Sequence, residues 1–136
     1  MLRKFLTVLV VLLVSLPAHA QDEAATDALV ILPAADFDRQ EYLWKNRLIV
    51  VFADSDLVPD FVEQMEYLVA DGALLAERDV IIVVDTDPAA DTPIRQDLRP
   101  RAFTLVFIDK DGMIKLRKPR PWTVRELTRS IDKAVE

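Results

Sequence analysis

Six aspartates fall in two groups, each following an apolar run. Asp54, Asp56 and Asp60 come after Leu48–Ala53, and Asp85, Asp87 and Asp91 come after Val80–Val84. Carboxylates that converge can hold Ca²⁺ or Mg²⁺ through oxygen ligands, or divide into acid and base. Asp54, Asp56, Asp85 and Asp87 are therefore the residues a carboxylate- or divalent-metal-dependent enzyme would use. Aspartate also caps helices and forms turns after strands without any metal, and neither group has the twelve-residue EF-hand spacing. On that balance no metal, no cofactor and no catalytic residue is expected. A second group is basic: Arg99, Arg101, Lys115, Arg117, Lys118 and Arg120 lie close together in sequence. They are the partner-binding candidates, suited to an acidic protein or an anionic surface; the competing reading is that they neutralise the acidic half of the same fold.

The composition removes other chemistries. The 136 residues contain no cysteine and one histidine, His19. His19 lies in a segment that reads as a secretion signal: a basic start (Arg3, Lys4), an apolar run from Phe5 to Leu16, and Ala18-His19-Ala20 before a cut after Ala20. The run is shorter than the about 20 residues a bilayer span needs, so no membrane anchor is expected after cleavage and the location expected is periplasmic or secreted. The mature chain then has neither Cys nor His. Thiol redox chemistry, Ser-His-Asp triads and zinc sites built from Cys or His are excluded.

Charge is unevenly divided. From Gln21 to Asp91 there are 17 acidic and 4 basic residues, net −13; from Thr92 to Glu136 there are 6 and 11, net +5. Nucleic acid is not an expected partner, because the mature chain is net −8 and the basic group lacks interleaved aromatics.

The elements that must position these groups follow from pattern. Leu48–Ala53 and Val80–Val84 are unbroken β-branched and aromatic runs, the mark of strands covered on both faces. Between them Phe61, Val62, Met65, Leu68 and Val69 form one helical stripe in Pro59–Arg78, with Pro59 in the first turn and Gly72 as a break. The product is a parallel βαβ unit. A short helix near Thr92–Leu98 precedes an interior strand, Phe103–Ile108. Lys110-Asp111-Gly112 marks a hairpin, and Ile114-Lys115-Leu116-Arg117 alternates as an edge strand should. Thr123 and Glu126 make a capping box stapled by Trp122 and Leu127, and Val124, Leu127, Ile131 and Val135 form the buried stripe of the last helix. Trp44 and Trp122 read as core anchors. Ala28–Leu32 is a possible extra edge strand, and Asp36–Arg47 is irregular or weakly helical.

The order β-α-β-α-β-β-α is that of the thioredoxin-like α/β fold, a central mixed sheet with helices on both faces. The expected division is a signal at residues 1–20, a flexible acidic lead-in at 21–35, and one domain at 36–136. In that fold the redox thiols follow the first strand of the βαβ unit. Here the stretch is Ala53–Asp60, which has none, and the usual cis-proline position falls on Phe103.

Three segments carry a more specific resemblance: Trp44-Lys45-Asn46-Arg47 before the first strand, Glu77-Arg78-Asp79-Val80 before the second, and Asp109-Lys110-Asp111-Gly112 with Lys115-Leu116-Arg117 in the hairpin. Over Phe37–Lys133 the chain resembles a bacterial domain of unknown function found in secreted proteins of alphaproteobacteria. It is similar to the peroxiredoxin-like domains of equarin and sushi-repeat matrix proteins. The resemblance implies a thioredoxin-like fold without redox cysteines and implies no activity. The function expected is a non-catalytic periplasmic or secreted binding module, with the carboxylate or metal enzyme as its alternative.

Overall fold

The computed structural model describes residues 28–135; the expected signal and the lead-in as far as residue 27 lie outside the described residues. Five strands form one sheet: β1 (Val30–Pro33), β2 (Arg47–Phe52), β3 (Val80–Asp85), β4 (Thr104–Ile108) and β5 (Ile114–Lys118), in the order β1-β3-β2-β4-β5. β2 and β3 run parallel, with Phe52 opposite Asp85, and are joined by α1 (Pro59–Ala70) and α2 (Gly72–Ala76). β4 is antiparallel to β2, and β5 returns antiparallel to β4. α3 (Pro93–Leu98) and α4 (Val124–Val135) complete the thioredoxin-like arrangement.

The strand patterns explain why the sheet is covered on both sides. Ile49, Val51, Leu105 and Phe107 point to one face, where they meet Phe61 and Leu68 of α1, Leu75 of α2, and Leu127 and Ile131 of α4. Val50, Phe52, Ile81, Val83, Val106 and Ile108 point to the other, against Ile94 and Leu98 of α3. Each such aliphatic or aromatic side chain gains about 1.5–3 kcal/mol on burial. The segment between Asp36 and Arg47 finishes this second face. Phe37 is buried, its ring stacks on Tyr42 at 5.0 Å, and Arg39–Tyr42 form a short 3₁₀ turn capped by Asp38.

Four expectations need correction. The domain begins before residue 36, because β1 pairs with β3 and the Ala34 N–H donates to the Val84 carbonyl at 2.9 Å. α1 does not bury its whole apolar stripe. Phe61, Gln64 and Leu68 face inward, while Val62 and Val69 are exposed. Val135, at the end of α4, is also exposed, although the capping box forms in full between Thr123 and Glu126. Trp44 is not a core anchor: its backbone turns through a φ of 64° and its side chain is 75 % exposed. Gly72 breaks the helix as expected and also has a packing role, since a Cβ there would lie 3.0 Å from that of Leu29.

Candidate functional site

The carboxyl ends of β2 and β3 define one pole of the sheet. Because Phe52 lies opposite both Asp85 and Thr104, the stretches after β2, after β3 and before β4 all meet there. Both groups of candidate residues come to this pole, and the structure treats them differently.

The aspartates stand in different environments. Asp85 is buried, with 1 % of its side chain exposed, and is already saturated. Arg95 donates to it from Nη2 at 2.8 Å and from Nε at 3.1 Å, the Thr92 hydroxyl donates at 2.6 Å, and the Asp87 N–H at 3.2 Å. Burial alone would raise the Asp85 carboxyl, but the hydrogen bonds from Arg95 and Thr92, the Arg95 charge and the Asp87 amide outweigh it and hold the group below the usual carboxylate range. Arg95 also donates to the Ala53 carbonyl at 3.2 Å and lies over the Phe52 ring. The pair thus clamps the ends of β2 and β3 to α3. Asp87 caps the 3₁₀ turn Pro88–Ala90, while Asp54 and Asp56 are exposed in the loop after β2. Among the described residues no three Asp or Glu side chains stand close enough to hold a cation. Asp85 was a candidate because its own loop is acidic. Its partner Arg95 is not among the candidates, although an aspartate ending an apolar strand and a cation three residues past the Thr92 cap form a readable signal.

The basic residues do gather. Arg99, Arg101, Arg117 and Lys118, with Thr104 and Pro119, line an open hollow of about 310 Å³. Arg99 closes α3 in a left-handed conformation (φ 48°), and its carbonyl accepts from Arg117 Nη2 at 3.1 Å. The Thr104 hydroxyl donates to the Arg101 carbonyl at 3.0 Å, which shapes the loop entering β4. Lys118 lies 4.8 Å above the Trp122 ring. Two candidates stand apart. Lys115 sits 3.8 Å from Asp111 at the hairpin, and Arg120 is exposed beyond β5 without lining the hollow. Arg39, Arg47, Arg78 and Arg95 each have a carboxylate partner; among the described residues Arg99, Arg101 and Arg117 have none within ion-pair distance.

The opposite pole collects Trp44–Arg47, Glu77–Val80 and Asp109–Gly112, while the Lys115–Arg117 part of the third segment runs along β5 and brings Arg117 to the hollow. Arg47 Nε lies 3.2 Å from Asp109 and its Nη1 donates to the Arg78 carbonyl at 2.7 Å. Asn46 donates to the Asp79 carbonyl, Lys110 pairs with the Asp79 carboxylate at 2.7 Å, and the Trp44 N–H donates to the Lys110 carbonyl at 2.8 Å. Arg78 reaches across to Asp132 of α4 at 2.9 Å. That hydrogen bond lowers the Asp132 carboxyl and raises the Arg78 guanidinium. These residues fasten strand ends to one another.

The solved structures this chain resembles share its fold at low identity. A reduced 2-Cys peroxiredoxin from Plasmodium vivax aligns with a TM-score of 0.61 at 13% identity, covering 73% of this chain and 83% of its own. A Malassezia sympodialis thioredoxin gives 0.58 at 18% identity, over 78% and 90%. A Thermus thermophilus thioredoxin gives 0.53 at 21%, over 79% and 88%. The thioredoxin-like fold is therefore present, and the absence of cysteine from the whole sequence removes the thiol chemistry. No curated protein matches the sequence. Residues 39–135 match the domain of unknown function DUF4174, and the chain belongs to that family.

Proposed function

We propose that this protein is a non-catalytic binding module, exported from the cytoplasm, that holds an acidic partner in the hollow between Arg99, Arg101, Arg117 and Lys118. The observation that carries the reading is the gathering of unpaired cations around one hollow. Arg39, Arg47, Arg78 and Arg95 each meet a carboxylate of the same chain, whereas Arg99, Arg101 and Arg117 have none within ion-pair distance among the described residues and line the hollow together. A guanidinium presents a rigid fork that suits a carboxylate bidentately. Three of them around one hollow favour a partner with several closely spaced carboxylates. The surrounding acidic half of the chain steers such a ligand toward the hollow and away from the rest of the surface. The resemblance to the peroxiredoxin-like domains of matrix proteins implies no activity, which fits a module that works by contact, and the A-x-A signal pattern fits export.

The test is a titration of the protein, residues 21–136, into a fluorescent Glu/Asp-rich peptide, read by anisotropy. Binding is expected at low salt and should weaken as ionic strength rises past about 0.15 M. The double variant Arg101→Glu, Arg117→Glu should lose at least about tenfold in affinity. Equal affinity for the variant and the parent would refute the proposal.

A further inference from the structure

The stretch after β2 carries charge that the fold does not use. Ser55 shapes its turn: the Ser55 carbonyl accepts from the Val58 N–H at 3.4 Å, and the Ser55 hydroxyl accepts from the Leu57 N–H at 3.2 Å. α1 then begins without a side-chain cap. Asp54 and Asp56 are thus needed neither for the turn nor for the helix start. Both are exposed, and among the described residues neither has a cation within ion-pair distance. Leu57, next in the chain, is 83 % exposed.

The unpaired arginines lie beside this loop. Phe52 faces Thr104 across the antiparallel ladder of β2 and β4, where opposite Cα atoms are about 4.5–5.5 Å apart. The chain leaving β2 toward Asp54 and Asp56 and the chain entering β4 from Arg99 and Arg101 therefore start side by side. The acidic loop leads to α1, on the face of the sheet covered by Leu68 and Leu75, while the hollow adjoins the end of α3, on the other face. One pole thus presents two neighbouring patches of opposite sign, and among the described residues no ion pair joins them. That layout is complementary to itself. When two copies meet at this pole about a twofold axis lying along the boundary of the patches, the acidic loop of each faces the basic hollow of the other, and symmetry makes the two contacts equal. Opposite charges across such a contact favour this register and disfavour like-on-like approach. Leu57 adds an apolar group to the contact, in keeping with the apolar centre and polar rim of protein interfaces.

We infer that the acidic occupant of the hollow is the Asp54–Leu57 loop of a second copy of this chain, in a reciprocal twofold dimer. The inference rests on the reading of the hollow as a carboxylate-binding site and names its partner. Sedimentation equilibrium from about 1 μM to about 1 mM, which spans moderate to weak affinities, should show a monomer–dimer equilibrium at low ionic strength. The dimer should recede as salt rises past about 0.15 M. Asp54→Arg with Asp56→Arg, and separately Arg101→Glu with Arg117→Glu, should each raise the dimer dissociation constant at least about tenfold. Mixing these two variants in equal amounts should restore a dimer, because reversed charges then meet at one contact and native charges at the other. That rescue also shows that neither variant lost the dimer by misfolding. The Asp54/Asp56 variant keeps the hollow and should bind the Glu/Asp-rich peptide as the parent does. A parent that binds the peptide yet stays monomeric throughout the range would overturn this inference and leave the reading of the hollow standing. One that neither binds nor dimerises would overturn both. A dimer that neither pair of substitutions weakens, or mixed variants that stay monomeric, would also overturn the inference.

Discussion

The two poles of the sheet use charge in opposite ways. At the amino end of β2 and β3, Arg47, Arg78, Asp79, Asp109 and Lys110 spend their charges on one another and on backbone carbonyls. At the carboxyl end, one pair, Asp85 and Arg95, is buried and saturated, and above it Arg99, Arg101 and Arg117 are left without carboxylates among the described residues. Trp44–Arg47, Glu77–Val80 and Asp109–Gly112 lie at the first pole and read as architecture. The second pole has a divided surface, acidic after β2 and basic before β4. Paired charge and unpaired charge therefore concentrate at opposite ends of the sheet.

The largest effect expected lies beneath the second pole. Asp85→Ala leaves Arg95 with 11 % of its side chain exposed and no carboxylate, and removing one partner of such a pair costs about 3–5 kcal/mol. A urea midpoint that barely moves would mean the clamp is not what fixes α3 to the sheet. The same pair gives an acid limb. The Asp85 carboxyl titrates below its unfolded value of about 3.9, so its stabilisation is complete above that pH and is lost as pH falls through the folded value. In Asp85→Asn the fall of the urea midpoint below about pH 4 should be shallower than in the parent; an identical pH profile would contradict this.

At the first pole, Arg47→Met removes a part-buried ion pair and strands the Arg78 carbonyl, with an expected loss of about 1.5–3 kcal/mol, measurable by thermal unfolding. A loss near zero would erase the contrast between the poles. Trp44→Ala should fall within about 0.5 kcal/mol of the parent, because the side chain lies outside the core. A core anchor would cost about 3–5 kcal/mol instead.

The parts legible in the sequence were those governed by local or strictly periodic physics. The unbroken apolar runs of β2 and β3 require burial on both faces, and that is where they sit. Thr123 and Glu126 are three residues apart and form the box that their spacing allows. The gathering of Arg99, Arg101, Arg117 and Lys118 was visible as a charge imbalance. What stayed hidden depended on partners distant in sequence. Gln64 is buried with its amide satisfied by Trp122, in the stretch before α4, and Val62 and Val69 face outward against the helical pattern. Asp85 looked like a ligand until Arg95 reached back to it. Trp44 stands just before a strand, where a core anchor is expected, whereas a positive φ and the bond to Lys110 turn it out.

One paired measurement bears most directly on the division of labour between the poles: peptide affinity and urea midpoint together, for the parent and for Arg101→Glu with Arg117→Glu. The variant should keep its midpoint, each surface substitution costing no more than about 0.5 kcal/mol, and lose at least about tenfold in affinity for the Glu/Asp-rich peptide. A variant that binds as well as the parent, or one that unfolds by several kcal/mol less urea work, would contradict it by showing that these arginines hold no ligand or that they hold the fold.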